Sequence, residues 1–534
     1  MAEVCNEWIA FCYSCIDRLI LNAYIPRMQT PAAMAVFLRE VCGKPILSGW
    51  VFKDLTDRFV ERIKQFAAAS QVDILHVKGK TRPGELGQKH LEAARRAGRT
   101  GLIVILKHQE QARVFASEHR GGRDTNFWVK QDFRVVNHYY FYFRDPEYGS
   151  GFVRISSYPP FSARIWVNAH GYIKRQLEAQ NISFRADQNC FLETEDPQAL
   201  QQAAGRFNRE LVEKIARKWL GWLPDPLTPE HRNAGYHTEL SVYQAEFCHN
   251  LVFKSGHKLN PMYDQLLRDQ LHMGQADMVQ VVFDRKIRRN TPTDFFTRIV
   301  RHDSMACIKI PYKSSWMKQY NKSGRVLRTE MVVGNPNDFD VKKRLVHLDY
   351  LQTVASHAIR RFSKAQAAAM SAALDRSTFE QLITPSTHRG KRAAALRIGA
   401  PGEMRVLEAV GCAGLIFRAF TNTDLRDVMI RRLGIEPGEV SANQVGYRLR
   451  KLRGKGLVRK VPHHNRYTLT DKGYRVVIFL LKIHNRVLGP PLDTLASPAR
   501  DLLHQSKHPI DKTLARLNDN FDTLMDLSGI QVAA

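Results

Sequence analysis

Apolar and polar positions alternate along this chain with periods that change several times. Up to about residue 70 the apolar residues recur at helical spacing in FCYSCIDRLILNAYI, PAAMAVFLREVC and VFKDLTDRFVERIKQFAAA, which predicts a helical N-terminal region, residues 1–70. VDILHV, ELGQKHLEAARRAG and TGLIVILKH then read as strand, helix and strand. ARVFAS, FRVVNHYYFYFRD, GFVRISSYP and ARIWVNA alternate like strands, the first two as antiparallel neighbours and the second and third joined by the turn DPEYGSG. GYIKRQLEAQN predicts a helix, and DPQALQQAAGRFNRELVEKIARKWLGWL one long helix opened by Asp-Pro. SVYQAEFCHNLVFK reads as a strand and PMYDQLLRDQLHM as a helix. ACIKIPYKSSWMKQYNKSGRVLRTEMVVG reads as strands meeting at the turn NKSG. Helical spacing returns from Val341 to about Leu374. STHRGKRAAALRIGAPGE contains the best linker candidate, residues 389–400. The tail, residues 491–534, contains DKTLARLNDNFDTLMDL and reads as helical.

Between linker and tail lies the densest charge pattern. From Ser441 to Arg486 there are twelve Lys or Arg residues and a single acid, Asp471. Ser441 is a good N-cap, and Val445, Leu449 and Leu452 recur so that one helix face packs inward. The opposite face offers Asn443, Gln444, Tyr447, Arg448 and Lys451, side chains able to reach base edges or phosphates. LVRKV and RYTLT flank Pro462, His463, His464 and Asn465 as a hairpin with a polar tip, carrying Lys460 and Arg466 toward phosphate. Asp471 opens a further helix. This order resembles the winged-helix domains of MarR-like bacterial regulators. The resemblance implies a recognition helix around Asn443–Lys451 and a wing around Lys460–Arg466. The fold class expected is thus α+β and multidomain: the helical N-terminal region, a mixed α/β body with antiparallel strands (71–388), and a C-terminal winged helix-turn-helix (401–490).

Composition changes the picture by adding a partner. The formal net charge is +28, and residues 389–486 hold 21 Lys/Arg against 7 Asp/Glu, half of that excess. A field of this sign attracts a polyanion, so double-stranded DNA is the expected partner, with single-stranded nucleic acid a further one. A solvated basic face is the plain alternative, and a membrane surface a rival. No run approaches the ~20 apolar residues of a membrane span, and the start is not a secretory signal, which leaves the cytoplasm as the expected compartment. DNA binding of this kind requires no cofactor. A docking or homodimer role for the helical tail is an expectation too. Cys12 and Cys15, one helical turn apart, are expected as buried thiols, and Cys42, Cys190, Cys248, Cys307 and Cys412 are isolated in sequence.

HYYFYFRDPEYGSGFVRISSYPPF, DQNCFLE and KQYNKSGRVLRTEMVVGNPNDF resemble segments of a widespread family of large uncharacterised bacterial proteins, many of which travel with mobile elements. That resemblance implies a mobile-element or regulatory setting and brings no chemistry. WMKQYNKSGRVLRTEMVV is similar to a strand pair of plasmid replication initiators and relaxases. This second resemblance implies a metal-dependent DNA-nicking enzyme. In it Tyr320 attacks a phosphodiester, Lys322 assists electrostatically, Arg328 holds phosphate, and Glu330 binds Mg²⁺ or Mn²⁺. The chain lacks the His-apolar-His triplet of that group, and His302 and Asp303 are the nearest further ligand candidates. The structural alternative is a hairpin in which Tyr320 packs and Lys322 or Arg328 pairs across the strands with Glu330. GSGFVRI, with Phe152, Tyr140 and Tyr142, also offers stacking platforms for an RNA-binding sheet, set against the commoner core role; a protein-binding body is a further alternative. Walker, GxGxxG and Gly-x-Ser-x-Gly motifs are absent, which argues against nucleotide-dependent and serine-hydrolase activity.

Overall fold

The structure is a computed structural model that describes residues 5–78, 81–122, 126–272, 298–302, 305–370, 376–388, 391–398, 400–411, 420–432, 435–462 and 464–483, with Lys512, Arg516, Asp519 and Asn520 beyond. It is mixed α/β, built on one large sheet. The strands are β1 Ile9–Tyr24, β2 Ile74–His76, β3 Gly101–His119, β4 Phe127–Asp145, β5 Gly149–Ser156 and β6 Ala163–Asn168. A separate hairpin follows, β7 Phe184–Asp187 with β8 Cys190–Thr194, and then β9 Glu239–Phe253, β10 Arg298–His302, β11 Met305–Tyr312, β12 Ser315–Lys322 and β13 Val326–Val333. The eleven strands of the sheet lie in the order β10-β11-β12-β13-β9-β1-β6-β5-β4-β3-β2. Every pairing is antiparallel except β2 with β3. Two meanders, β3 to β6 and β10 to β13, are therefore joined through the central pair β1 and β9.

The largest departure from expectation is at the N-terminus. Residues 9–24 form the central strand β1, where a helix was predicted. Register shifts between Ile16 and Arg18 and between Ile20 and Leu21 break the period-2 alternation, and the apolar run then mimics helical spacing. Cys12 and Cys15 accordingly do not share a face: Cys12 is exposed and Cys15 buried. The helix expected next is present as Gly49–Ala69. It buries Val51, Phe52, Leu55, Phe59, Ile63 and Ala67 along one stripe against the sheet, with Phe59 on Phe161 and Phe66 on Phe141.

Turn chemistry sets the registers. Ser323 and Gly324 both adopt positive φ in the three-residue loop, residues 323–325, that joins Lys322 to its register partner Val326. In the turn from β4 to β5, Asp145 Oδ1 accepts from the backbone of Glu147 and Tyr148, while Oδ2 receives Trp219 Nε1 at 3.0 Å. Asp145 is thus buried, where a solvated turn acid would be usual. Gly151 is required beneath Trp219, because an added Cβ would lie 2.4 Å from the indole. The long helix expected from Asp196 breaks at Phe207, and Asn208 caps a second helix, Arg209–Trp222, by accepting from Leu211 N.

A second apolar core gathers Leu382, Leu396, Met404, Leu407, Leu425, Val445, Leu449, Leu457 and Val477. It belongs to helices Arg376–Ile383, Pro401–Gly411, Asn422–Arg432, Ala442–Gly454 and Asp471–Ile483, with the hairpin Val458–Lys460/Tyr467–Leu469. The expected linker is partly built into this core. Leu396 is buried in it, Ala393 is buried against Gly454, and Leu396 N donates to Leu382 O at 2.8 Å. The expected helical tail falls outside the described residues apart from four positions.

Candidate functional site

The register of four neighbouring strands lines up one polar row across the middle of the sheet. Tyr320 on β12 faces Arg328 on β13, which faces Asn250 on β9, which faces Tyr13 on β1. The next rung is Lys318, Glu330, Cys248 and Cys15. A β-bulge between Ile16 and Arg18 then inserts Asp17, which turns into the same row.

Arg328 organises this row. Its guanidinium, 0% exposed, contacts Asp17 Oδ2 at 2.6 Å and Glu330 Oε1, and donates to Asn189 O at 2.8 Å and Asn250 Oδ1 at 3.1 Å. Glu330 also receives the Tyr320 hydroxyl at 2.7 Å and pairs with Lys318 Nζ at 2.6 Å. Asp17 lies 2.9 Å from His170 Nδ1 and receives Asn189 Nδ2. One position along, Arg18 pairs with Glu246 at 2.6 Å. Three carboxylates thus face three cations, Arg328, Lys318 and Arg18.

Burial alone would raise the acids, but Arg328 with His170 holds Asp17 well below the usual carboxylate range, and Arg328 with Lys318 holds Glu330 down. Burial and the neighbouring Glu330 carboxylate push the Tyr320 phenol far up, so it stays protonated as a donor. Burial keeps His170 neutral despite Asp17.

Of the residues expected at a nicking centre, the fold brings Tyr320, Arg328 and Glu330 together. Lys322 reaches Asn189 Oδ1 at 2.6 Å, so Lys318 is the lysine beside Tyr320 and Glu330. The cross-strand partner of Glu330 is Lys318 as well, while Arg328 pairs with it along the same strand. A phosphate role for Arg328 meets a fully buried guanidinium already held by protein groups. Carboxylate oxygens of Asp17, Glu246 and Glu330 lie within 4.8 Å of one another, which is the spacing a divalent ion could use. Each already has a basic partner, and an ion would compete with Arg328, Arg18 and Lys318 for them. Asp17 and Glu246 were not singled out from sequence, since they come from strands far from the hairpin and one lies on a bulge. His302 ends β10, and Asp303 lies outside the described residues.

The aromatic block is not an open platform. Tyr140 and Tyr142 are buried beneath helix Pro83–Arg96, with the Tyr142 hydroxyl donating to Pro83 O at 3.1 Å and Gly87 against its ring. Phe152, partly buried, is stacked between Tyr142 and Trp166.

The C-terminal basic region is organised in the opposite way. Ser441 Oγ accepts from Gln444 N and Gln444 Oε1 accepts from Ser441 N, a reciprocal cap that starts helix Ala442–Gly454. Asn422 Nδ2 donates to Ala442 O at 2.9 Å, tying this helix to Asn422–Arg432. Val445, Leu449 and Leu452 face the core, while Asn443, Gln444, Tyr447 and Arg450 are exposed. Arg450 belongs with them at helical spacing from Asn443 and Tyr447, though sequence reading passed it over. Arg448 is half-buried against Gly402. Lys451, expected outward, is buried and paired with Glu403. On the hairpin Arg459, Lys460, His464 and Arg466 are exposed, while His463 lies outside the described residues. Phe420 and Tyr467 exchange backbone hydrogen bonds of 2.8 and 2.7 Å, pinning the hairpin to the segment before Asn422.

No protein-family model, curated protein or solved structure matches this chain.

Proposed function

We propose that this is a DNA-binding protein of a bacterial mobile-element or regulatory system, working in the cytoplasm. In this reading residues 401–490 are a winged helix-turn-helix that contacts duplex DNA. The observation that carries it is the capped helix Ala442–Gly454, which buries its apolar stripe and leaves Asn443, Gln444, Tyr447 and Arg450 outward beside an exposed Arg459, Lys460 and Arg466. A helix of this width fits the major groove, and its amide and guanidinium groups match base edges there. The hairpin cations suit the flanking phosphates. Neither contact needs a cofactor. Among the described residues no helix is long and apolar enough to cross a membrane.

The test is fluorescence anisotropy of the full-length protein on labelled duplex pools, titrated with salt and followed by selection for a preferred site. Absence of salt-sensitive duplex binding would sink the proposal.

Convergence of Tyr320, Arg328 and Glu330 with Asp17 and Glu246 favours a second reading, a nicking enzyme that uses Tyr320 with Mg²⁺ or Mn²⁺. Incubation of full-length protein with supercoiled DNA and either ion would then give nicked circles and a covalent protein–DNA adduct, both missing in Tyr320→Phe. Intact DNA in every lane would end it.

A further inference from the structure

Cys15 and Cys248 are far apart in sequence, yet the β1–β9 register sets them directly opposite each other. Their Sγ atoms are 3.4 Å apart, and both thiols are buried. His170, in the first turn of helix Ala169–Ala179, brings Nε2 to 3.8 Å from Cys15 Sγ. Sulfur and nitrogen ligand atoms of all three residues lie within 4.8 Å of one another. The other ring nitrogen, Nδ1, lies 2.9 Å from Asp17 Oδ1. Asp17 also pairs with Arg328 through Oδ2, and with Nδ1 turned toward this carboxylate, Nε2 is the ring nitrogen that faces the sulfurs. A carboxylate behind a histidine in this way orients the ring and raises its basicity as a ligand.

We propose that Cys15, Cys248 and His170 form a binding site for one thiophilic transition-metal ion of the zinc(II) class. With metal–sulfur bonds of about 2.3 Å and metal–nitrogen bonds of about 2.0 Å, tetrahedral ligands sit roughly 3.8 Å apart for two sulfurs and roughly 3.5 Å for sulfur and nitrogen. The separations of 3.4 and 3.8 Å differ from these by only a few tenths of an ångström. The Tyr13 hydroxyl, 3.3 Å from the same His170 nitrogen, is the oxygen within reach as a fourth ligand.

Charge also favours a divalent ion. Loading releases two thiol protons to solvent and admits one M²⁺, so the net charge of the site does not change. That matters beside a row where three acids already balance three cations, because any uncompensated charge there would be buried. A loaded site would tie β1, β9 and the helix after β6 together at the centre of the sheet.

The experiment uses full-length protein, reduced and stripped with chelator, then titrated with Co²⁺ and back-titrated with Zn²⁺. Expected are one equivalent of Co²⁺ with a thiolate-to-metal charge-transfer band in the near ultraviolet, displaced by one equivalent of Zn²⁺, and a higher melting temperature when loaded. Cys15→Ser and Cys248→Ser each lose the band, whereas Cys12→Ser and Cys307→Ser keep it. Asp17 stands behind the histidine, so Asp17→Asn keeps the band but binds Co²⁺ about 10–100-fold more weakly. Circular dichroism accompanies every variant. No band in folded, reduced wild type overturns the proposal whatever the variants do, as does a band that survives both Cys15→Ser and Cys248→Ser.

Discussion

Arg328 and Arg450 are the same residue type in opposite settings. Arg328 sits at the centre of the sheet with 0% exposure, and its nitrogens meet Asp17, Glu330, Asn189 and Asn250. Arg450 projects from helix Ala442–Gly454 into solvent, near the exposed Tyr447 on the same face. In the buried row, positive charge is matched by acids and serves the position of strands. In the C-terminal region much of it is unmatched, since residues 389–486 carry three times as many basic as acidic residues, and unmatched charge is what a polyanion can use. Lys451 shows how local the distinction is: one residue beyond Arg450, it turns inward to Glu403.

If that contrast holds, the largest effect comes from breaking the buried row. Arg328→Met leaves Asp17 and Glu330 buried without their shared cation, and should cost about 3–5 kcal/mol. Glu330→Ala strands Arg328 and Lys318 and should fall in the same range. Urea unfolding of both variants measures this, and a loss below about 1 kcal/mol would mean that water reaches the row.

Acid should probe the same difference. His138 is buried, and burial, reinforced by Arg154, lowers its pKa to about 4. Its folded pKa lies below the unfolded value of about 6.5, so the unfolded chain binds the proton first. Stability from this group is present above about pH 6.5 and is lost as pH falls toward 4, on the order of 3 kcal/mol. The protection factors of the β4 amides, taken against the intrinsic exchange rate at each pH, should therefore fall over that window in wild type. In His138→Phe the dependence should flatten.

Tyr320→Phe is the gentler test of the row. The ring still packs, and the 2.7 Å hydrogen bond to Glu330 disappears, so a loss of about 1.5–3 kcal/mol is expected, less than for Glu330→Ala. Duplex affinity should not change. A covalent adduct with DNA that needs the hydroxyl would instead move Tyr320 from architecture to chemistry.

These sites differ in how far the sequence announces them. Helix Ala442–Gly454 and its hairpin are legible because each device is local: a cap at Ser441, apolar spacing, and a basic turn within a few dozen residues. The NKSG hairpin is legible for the same reason, and with it the proximity of Tyr320, Arg328 and Glu330. Asp17 and Glu246 are not. Their place depends on β1 lying between β6 and β9 and on a bulge, both consequences of pairings between segments more than a hundred residues apart. β1 itself is misread as helix because its bulges break the period-2 alternation. Lys451 is misjudged because helical spacing shows which residues can point outward, whereas an acid from another helix, Glu403, decides which one does not.

On the exposed side, substitutions should touch binding and leave folding alone. Asn443→Ala should cost about 1–3 kcal/mol on a preferred site if it removes a good base contact, with unfolding unchanged within about 0.5 kcal/mol. Lys451→Ala should do the reverse, lowering stability through Glu403 while leaving base preference as it was. Anisotropy on preferred and scrambled duplexes, paired with melts, separates the two. An equal loss on both duplexes for Asn443→Ala would remove base readout from this helix.

The smallest effect belongs to the hairpin. Lys460 and Arg466 are exposed at either end of the polar tip. A cation that touches one phosphate releases about one condensed counterion, so each Ala substitution should reduce the slope of log K against log salt by roughly one unit. The loss should be the same on preferred and scrambled duplexes, because a phosphate carries no sequence. It should also shrink as salt rises, since the released counterions gain less entropy in concentrated salt. Salt titrations of wild type, Lys460→Ala, Arg466→Ala and the double variant therefore count contacts directly. Two independent contacts give a double variant about two units shallower. An unchanged slope in the double variant would place the hairpin away from DNA and leave the helix face alone at the interface.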